Sequence, residues 1–397
     1  MLETRIAKEL AYISQAGLAR RITELYFVNP AQAQDRTGKT YLVLASNNYL
    51  GFTHAPEVIE AASRAALKFG TGSSGSRLTT GGTFIASELE KRLADFKHSE
   101  SALVFNTGYM TNLGILYGLL QTGDVVFSDE LNHASIIDGC RISRCKVVVY
   151  KHNDMADLQR LLETEIVTGQ RFIVTDGVFG MDGDIADLPS LAVLKKQFNA
   201  CLIVDDAHGV GVIGNDGSGT ASHYGLTDVI DLQVGTLSKA LAAEGGYVAG
   251  KKILIDYLIN RSRPFIFSTA LAPATLAAAN AALLLLQTQA SKYIDSLRAN
   301  SRLMRRLLLE GGLNVVEGIT PIIPVVIGEA GLTMQFADRL KSKGILVSGI
   351  RPPTVPRGES RLRITVTAAH CEEQLRQAAQ IITALWQELK HGEKKEG

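Results

Sequence analysis

The chain has few cysteines, and none of them has the spacing of a metal site. Its four cysteines, Cys140, Cys145, Cys201 and Cys371, form no C-x-x-C pair, so we interpret them as small thiols without a metal-binding role. An excess of one charge is also missing, since 41 basic and 40 acidic residues give a formal net charge of +1. Nothing in this balance favours a nucleic acid or an anionic membrane surface as a partner.

Long apolar segments are lacking as well. The longest candidate, residues 272–287, contains Asn280 and is shorter than the roughly 20 apolar residues that a membrane-spanning helix needs. Residues 1–5 carry charges and no apolar core, so we expect no signal peptide. We therefore expect a soluble, cytoplasmic protein, and 397 residues are enough for two or three domains.

Between residue 46 and about residue 285, strand-like segments alternate with helix-like ones. The strand-like segments are apolar and mostly β-branched, as in strands that helices cover on both faces. They lie at residues 102–106, 124–128, 146–150, 171–176, 200–205, 232–236 and 247–250. Helices are expected between them, for example at 155–163 and 188–198. The alternation predicts an α/β domain with a mainly parallel sheet flanked by helices.

Shorter segments are expected on either side of this domain. Residues 1–45 should form an amphipathic helix and a polar hairpin near 35–39; the helix has too little apolar surface to fold alone, so we expect it to pack elsewhere, including on a second subunit. Residues 286–397 should form a smaller α+β domain. Its expected helices are 283–309, 333–343 and 372–390, and its expected strands are 313–316, 322–327, one near 345, and 361–367.

Two neighbouring strands of the large domain end in residues suited to catalysis. One leads to Asp205, Asp206 and His208, and the next leads to Lys239. Ligands bind at the carboxyl ends of parallel strands, so we expect both sets in one pocket. Pyridoxal phosphate needs a Schiff-base lysine and an aspartate at its pyridinium nitrogen. We choose Asp205 for that role because neighbouring strand residues face opposite sides, although Lys239 taken alone reads equally well as a surface lysine.

Other loops at the same sheet edge carry polar residues. Gly108 and Tyr109 begin a helix after a strand, where free backbone N–H groups bind phosphate, although a simple helix cap has the same pattern. His133 lies in a similar loop, and its ring would fit against a pyridine ring. Arg363 alternates with apolar neighbours in a strand, which suits a carboxylate-binding guanidinium or an edge residue facing solvent. The glycine-rich segment 69–82 matches no nucleotide-binding motif, so we interpret it as a loop lining a pocket or an interface.

Six motifs together resemble the α-oxoamine synthases over residues 4–385. They are SNNYLG at 46–51, GTGSSGSRL at 70–78, NHAS at 132–135, DDAHG at 205–209, GTLSK at 235–239 and IRPPTVP at 350–356. The resemblance implies a fold-type I pyridoxal phosphate-dependent acyltransferase that is a homodimer with active sites between its subunits. It also implies decarboxylative condensation of L-alanine with a pimeloyl thioester of coenzyme A or a carrier protein, in biotin biosynthesis.

The resemblance also implies roles for individual positions. Lys239 would bind the cofactor covalently, Asp205 would pair with the ring nitrogen, His208 would contact the ring oxygen, and His133 would stack on the ring and contact substrate. The other implied cofactor positions are Gly108, Tyr109 and Thr236, with Ser268 and Thr269 from the second subunit. The other implied substrate positions are Asn47 and Arg363 for the amino acid carboxylate, and Arg20 and Thr354.

Two positions depart from the family pattern, and other functions stay open. Gly180 replaces a serine that contacts the cofactor, and Ala86 replaces a histidine, which bears on the acyl substrate. Related enzymes condense glycine with acetyl-CoA or serine with a long acyl chain. A nicotinamide-dependent dehydrogenase is a different class, which the missing dinucleotide fingerprint disfavours. A catalytically silent subunit of a heterodimer is a third alternative, and Lys239 argues against it.

Overall fold

A computed structural model of the chain describes residues 1–15, 18–20 and 22–396. Helix α1 (Leu2–Gln15) has no buried residue, and its apolar side chains, among them Ile6 and Leu10, face solvent. The helix ends before Leu18, which the sequence pattern had included. Strands β1 (Tyr26–Asn29), β2 (Gln32–Gln34) and β3 (Thr40–Val43) follow, and the antiparallel pair β2–β3 forms the hairpin expected near residues 35–39.

Seven strands form the central sheet, in the order β4-β10-β9-β8-β7-β5-β6. Strand β10 is antiparallel to both neighbours, so the other six strands run parallel to one another. The expectation of a mainly parallel sheet is therefore confirmed. The bounds are β4 (Ser101–Phe105), β5 (Val125–Asp129), β6 (Lys146–Tyr150), β7 (Arg171–Asp176), β8 (Ala200–Asp205), β9 (Leu232–Thr236) and β10 (Gly246–Gly250).

Helices cover both faces of this sheet, which explains why its strands are apolar on both sides. Two of them, at 155–164 and 188–198, match the expected positions to within one residue. The helices between residues 56 and 266 are α2 (Pro56–Phe69), α3 (Phe84–Phe96), α4 (Gly108–Leu119), α5 (Ala134–Ile142), α6 (Met155–Thr164), α7 (Leu188–Phe198), α8 (Thr220–His223), α9 (Lys252–Arg261) and α10 (Arg263–Ile266), some of which pack outside the sheet.

The C-terminal part contains a second, smaller sheet. Strands β11 (Ile322–Gly328), β13 (Ser348–Ile350) and β14 (Ser360–Thr365) pair antiparallel in the order β11-β14-β13. Helices α12 (Ala330–Ser342) and α13 (Glu372–Glu396) belong to the same region. Strand β12 (Ile345–Leu346) instead pairs with β3, which joins the N-terminal hairpin to this part of the chain. The strand expected at 313–316 is reduced to one bridge between Val315 and Val325.

Helix α11 (Pro273–Glu310) connects the two regions. Near its start, Leu276 and Leu283 belong to a hydrophobic core that includes residues of the central sheet, and near its end Met304 and Leu308 belong to the C-terminal core. Its helical geometry is interrupted at Gln289, where φ is −133° and ψ is 27°. The division into 1–45, 46–285 and 286–397 stays a prediction. Within the described residues, no helix combines the length and apolarity needed to cross a membrane.

Candidate active site

A recess of about 490 Å³ opens at the carboxyl ends of strands β5, β7, β8 and β9. Its walls contain nine of the side chains or backbone positions that the sequence singled out, so residues up to 316 positions apart meet at one place. They are Asn47, Gly108, Tyr109, His133, Asp205, His208, Thr236, Lys239 and Arg363.

Asp205 and Asp206 turn to opposite sides at the end of β8. Asp205 faces the recess, where its Oδ2 accepts a hydrogen bond from Asn112 Nδ2 at 2.6 Å and its Oδ1 accepts from the backbone N–H of Ala207 at 3.0 Å. Asp206 points away and pairs with the fully buried Lys97, with Nζ 3.2 Å from Oδ2. The alternation of the strand therefore gives one carboxylate to the recess and the other to the core.

Lys239 follows strand β9 by three residues and lines the recess. Burial lowers the pKa of its amine to about 8, although the carboxylates of Asp205 and Asp176 act in the opposite direction. Much more of this amine is consequently neutral near pH 8 than for a lysine in water, whose pKa is about 10.4. A neutral amine is the form that can act as a nucleophile or a base.

The lowered pKa predicts a pH-dependent reactivity for Lys239 in the cofactor-free protein. Because acylating reagents attack only the neutral amine, acetylation of Lys239 should rise with pH to a midpoint near 8. In the denatured chain, acetylation of the same lysine should have its midpoint at about pH 10.4. Brief labelling with acetic anhydride across a pH series, read by mass spectrometry of the Lys239 peptide, makes the comparison. Equal midpoints in the folded and denatured chains would contradict the desolvated environment.

Helix α4 directs its N-terminus at the same recess. Thr107 caps it, with Oγ1 accepting from the N–H of Met110 at 3.0 Å. The N–H groups of Gly108 and Tyr109 have no acceptor in the part of the chain that the structure describes. Gly246, the first residue of strand β10, allows this strand to lie close to the start of helix α4, since a Cβ at Gly246 would lie 2.6 Å from the nitrogen of Gly108. Free N–H groups and the helix dipole make this a suitable site for a phosphate.

His133 is connected to Asp205 by a short chain of hydrogen bonds. Asn112 Nδ2 donates both to Asp205 and to Ser135 Oγ, the latter at 2.9 Å, and Ser135 Oγ lies 2.7 Å from His133 Nδ1. Since the backbone N–H of Ser135 also points at Nδ1, this nitrogen is the acceptor and the proton of the neutral ring lies on Nε2. Burial lowers the pKa of His133, which favours that neutral form.

His208 also lines the recess. Its Nδ1 is hydrogen-bonded to the hydroxyl of Tyr49 at 2.7 Å, which fixes the plane of the ring. Burial lowers the pKa of His208 well below its usual value, and the positive charges of Lys239 and Arg363 act in the same direction. This imidazole is therefore neutral at physiological pH.

Arg363 is almost completely buried, with 4% of its surface exposed, and its guanidinium lines the recess. Its Nε donates to the carbonyl of Gly180, Nη1 donates to Thr365 Oγ1 at 2.9 Å, and Nη2 donates to Asn47 Oδ1 at 3.2 Å. A guanidinium has five N–H groups, so these three contacts hold the side chain in place and leave donors for a carboxylate.

Four of the positions singled out from the sequence do not line the recess. Arg20 and Thr354 are exposed, and Ser268 and Thr269 lie in the loop after helix α10. The backbone carbonyl of Thr269 accepts from Asn106 Nδ2 at 2.7 Å, which holds this loop beside the end of strand β4. The roles of these four residues stay predictions.

Three contributors to the site were not assigned from the sequence. Asn112 and Ser135 connect Asp205 to His133, and Asp176 accepts from the backbone N–H of His133 at 2.9 Å. Burial and the neighbouring Asp205 raise the pKa of Asp176 well above its usual value. The role of Asn112 could have been predicted from the sequence, because Asn112 lies one helical turn after Gly108 and therefore on the same side of helix α4.

The two departures from the family pattern occupy different environments. A Cβ at Gly180 would lie 2.7 Å from Nε2 of His208, so the imidazole fills the space that a side chain at 180 would need. Ala86 is fully buried in helix α3 and belongs to the hydrophobic core, outside the recess. The first departure therefore changes the wall of the site, and the second changes core packing.

These residues fit pyridoxal phosphate in three independent respects. Lys239 supplies an amine of lowered pKa, Asp205 supplies a buried carboxylate for a pyridinium nitrogen, and helix α4 supplies free N–H groups for the phosphate. His133, held by Ser135, lines the same recess. The recess therefore brings together groups that suit this cofactor.

Comparisons with known proteins agree with this interpretation. The model of the family "Aminotransferase class I and II" matches residues 39–382. The chain is 49% identical to an 8-amino-7-oxononanoate synthase of Trichlorobacter lovleyi, over 97% of this chain and 98% of that protein. It is 46% identical to one of Lysinibacillus sphaericus, over 94% and 96%. A solved serine palmitoyltransferase with a PLP internal aldimine superposes with a TM-score of 0.92 at 31% identity, covering 97% of both chains.

Proposed function

The chain belongs to the class I and II aminotransferase family, and we propose that it is an acyltransferase that condenses L-alanine with a pimeloyl thioester. The products are 8-amino-7-oxononanoate, carbon dioxide and the free thiol of the carrier, and the reaction is a step of biotin biosynthesis. The cofactor is pyridoxal 5′-phosphate. The observation that carries this proposal is the near-full-length identity of 46% and 49% to relatives with this activity in their names.

The recess contains the groups that such a reaction needs. Bound pyridoxal phosphate supplies an electron sink for the pair left at the amino acid α-carbon. Asp205 would keep the ring nitrogen protonated, and the N-terminus of helix α4 would hold the phosphate. Arg363 would bind the amino acid carboxylate through the N–H groups that its protein contacts leave free. Lys239, with its pKa near 8, would take the proton from the α-carbon.

The positions outside the recess are consistent with a shared site. Ser268 and Thr269 lie in a loop that does not reach the recess of their own chain, as expected if they serve the second subunit. Helix α1 exposes apolar side chains without burying any against its own chain. We infer a homodimer, which light scattering at known concentration tests directly. The cytoplasmic location expected from the sequence stays a prediction.

The experiment that tests the function is a product assay with three substrate pairs. The purified protein, loaded with pyridoxal phosphate, is incubated with L-alanine and pimeloyl-CoA, with glycine and acetyl-CoA, or with L-serine and palmitoyl-CoA. We expect 8-amino-7-oxononanoate by mass from the first pair. A larger kcat/KM for the serine pair would instead support the activity named for the structural relative. Repeating the first assay with pimeloyl-carrier protein identifies the preferred thioester.

Arg363→Ala is expected to raise KM for alanine far more than KM for the thioester. Removal of one partner of a buried, charge-assisted pair costs about 2–5 kcal/mol, so kcat/KM for alanine should fall on the order of 10²-fold. Arg363→Lys serves as the matched variant, since it keeps the charge and loses the planar fork. Initial rates with each substrate varied in turn give both constants. Equal effects on the two substrates would argue against a carboxylate-binding role.

A further inference from the structure

His152 lies outside the recess, in the loop after strand β6, yet its ring joins two loops of the active site. Nδ1 lies 3.0 Å from Asp129 Oδ1, and Nε2 lies 2.8 Å from Asp184 Oδ2. Asp129 ends strand β5, in the segment that leads to His133. Asp184 lies in the turn after strand β7, which carries Gly180. One imidazole therefore holds together the segments that place two parts of the recess wall.

The ends of the turn at residues 177–186 are joined by a hydrogen bond from the N–H of Ala186 to the carbonyl of Gly177, and the turn lines the recess at Phe179 and Gly180. The N–H of Phe179 donates to the carbonyl of Asp184 at 3.0 Å, so the position of Asp184 fixes that of Phe179. The ring of His152 also packs edge-on against Phe179, with 4.4 Å between centroids. Gly180 accepts from Arg363 and backs onto His208, so a shift of the turn would move both side chains.

The two carboxylates require His152 to donate from both ring nitrogens, which only the imidazolium does. Asp129 has no exposed side-chain surface, and its Oδ2 accepts from the backbone N–H of Asn153 at 3.0 Å. Oδ1 of Asp184 has no partner in the described part of the chain, so Oδ2 makes the contacts with His152 and with Asn153 Nδ2. A neutral ring would leave one of these carboxylates facing a bare nitrogen.

We propose that His152 is a positioning residue for the condensation, acting as a cation between Asp129 and Asp184 that fixes the 177–186 turn. With the turn in place, Gly180 holds Arg363 toward the amino acid carboxylate and His208 toward the cofactor. The inference rests on the proposed function for its kinetic effect. Burial lowers the pKa of His152, but the hydrogen bonds of Asp129 and Asp184 outweigh it and raise the pKa to about 10, so the cation persists at neutral pH.

The test compares His152→Gln, which removes the cation, with His152→Arg, which keeps a cation that can donate to both carboxylates. His223→Gln is the control, since His223 is exposed and lies outside the recess. Hydrogen exchange of the peptide covering 177–186 is measured on the cofactor-free proteins, and kinetic constants and unfolding midpoints on the loaded ones. In His152→Gln we expect faster exchange in the turn and a loss of kcat/KM for alanine on the order of 10- to 10²-fold, because small misplacements of binding groups have effects of this size.

We expect His152→Arg to recover most of the exchange protection and the kinetic constant, and His223→Gln to match the wild-type chain in both. Unchanged exchange in the turn of His152→Gln would overturn the proposal. A fall in kcat/KM of His152→Gln that is fully explained by its fraction of unfolded protein would also overturn the proposal. Failure of the proposed function would appear separately, as a wild-type chain that forms no amino ketone, while the exchange data would still decide the role of His152.

Discussion

Replacing Lys239 with alanine is expected to abolish turnover, with kcat falling by at least about 10³-fold, because under the proposed function this one amine would serve as both nucleophile and base. The visible absorption that comes from the covalent bond between Lys239 and the cofactor should disappear with it, since the variant cannot form that bond. Product formation from alanine and pimeloyl-CoA, and the spectrum of the reconstituted protein, measure the two effects.

The fold of the Lys239→Ala variant should survive the change. A buried amine with a lowered pKa is costly to protonate, so its removal should leave the free energy of unfolding at pH 7 unchanged or higher. Lys252→Ala is the control, because Lys252 is exposed and pairs with Asp256 within one helix. If Lys239→Ala retained wild-type turnover, the assignment of the amine would be wrong.

Asp205→Asn is expected to lower kcat on the order of 10²-fold, the size of effect found when one preorganised electrostatic contact is removed from an active site. Under the proposed function, the neutral amide would no longer favour a proton on the ring nitrogen of the cofactor, so the ring would be a weaker electron sink. Steady-state rates with saturating alanine and thioester give the change in kcat. Unfolding should change little by comparison, since the amide oxygen of the variant can still accept one of the two hydrogen bonds made by Asp205.

The adjacent Asp206→Asn variant should behave in the opposite way. Its carboxylate pairs with Lys97, both side chains are buried, and loss of one partner in such a pair costs about 3–5 kcal/mol. Denaturant unfolding should therefore show a large loss of stability, whereas kcat per folded molecule should be close to that of the wild-type chain. A reversed pattern, with Asp205→Asn unstable and Asp206→Asn inactive, would refute the division of roles between these neighbours.

Much of the central sheet could be predicted because its strands are short, apolar and bounded by polar loops. Strands β6, β7, β8 and β9 begin and end at the expected residues. The approach of Asp205 to Lys239 could also be predicted, since both follow strands whose carboxyl ends share one edge. The opposite orientation of Asp206 followed from strand alternation alone.

The remaining features depend on contacts between distant parts of the chain, which no local pattern reveals. Tyr49 and His208 are hydrogen-bonded across 159 positions, and the parallel pairing of β3 with β12 joins an N-terminal strand to a C-terminal one. Strands β1 and β13 have only four and three residues, which is too short to produce a periodic signal. The overlong estimate for helix α1 has a different origin, because the apolar spacing continues to Leu18, whereas the assigned helix is Leu2–Gln15.

The single long helix α11 constrains how the recess can open. Arg363 comes from the C-terminal region and Lys239 from the region of the central sheet, so any change in the angle between these regions alters the separation of the two side chains. Because helix α11 packs into the hydrophobic cores of both regions, such a rotation would bend this helix. The backbone of Gln289 is not helical, so we expect α11 to bend at this residue. A substitution at Gln289 that restores regular helix would therefore be expected to slow substrate entry, although this residue lies outside the recess.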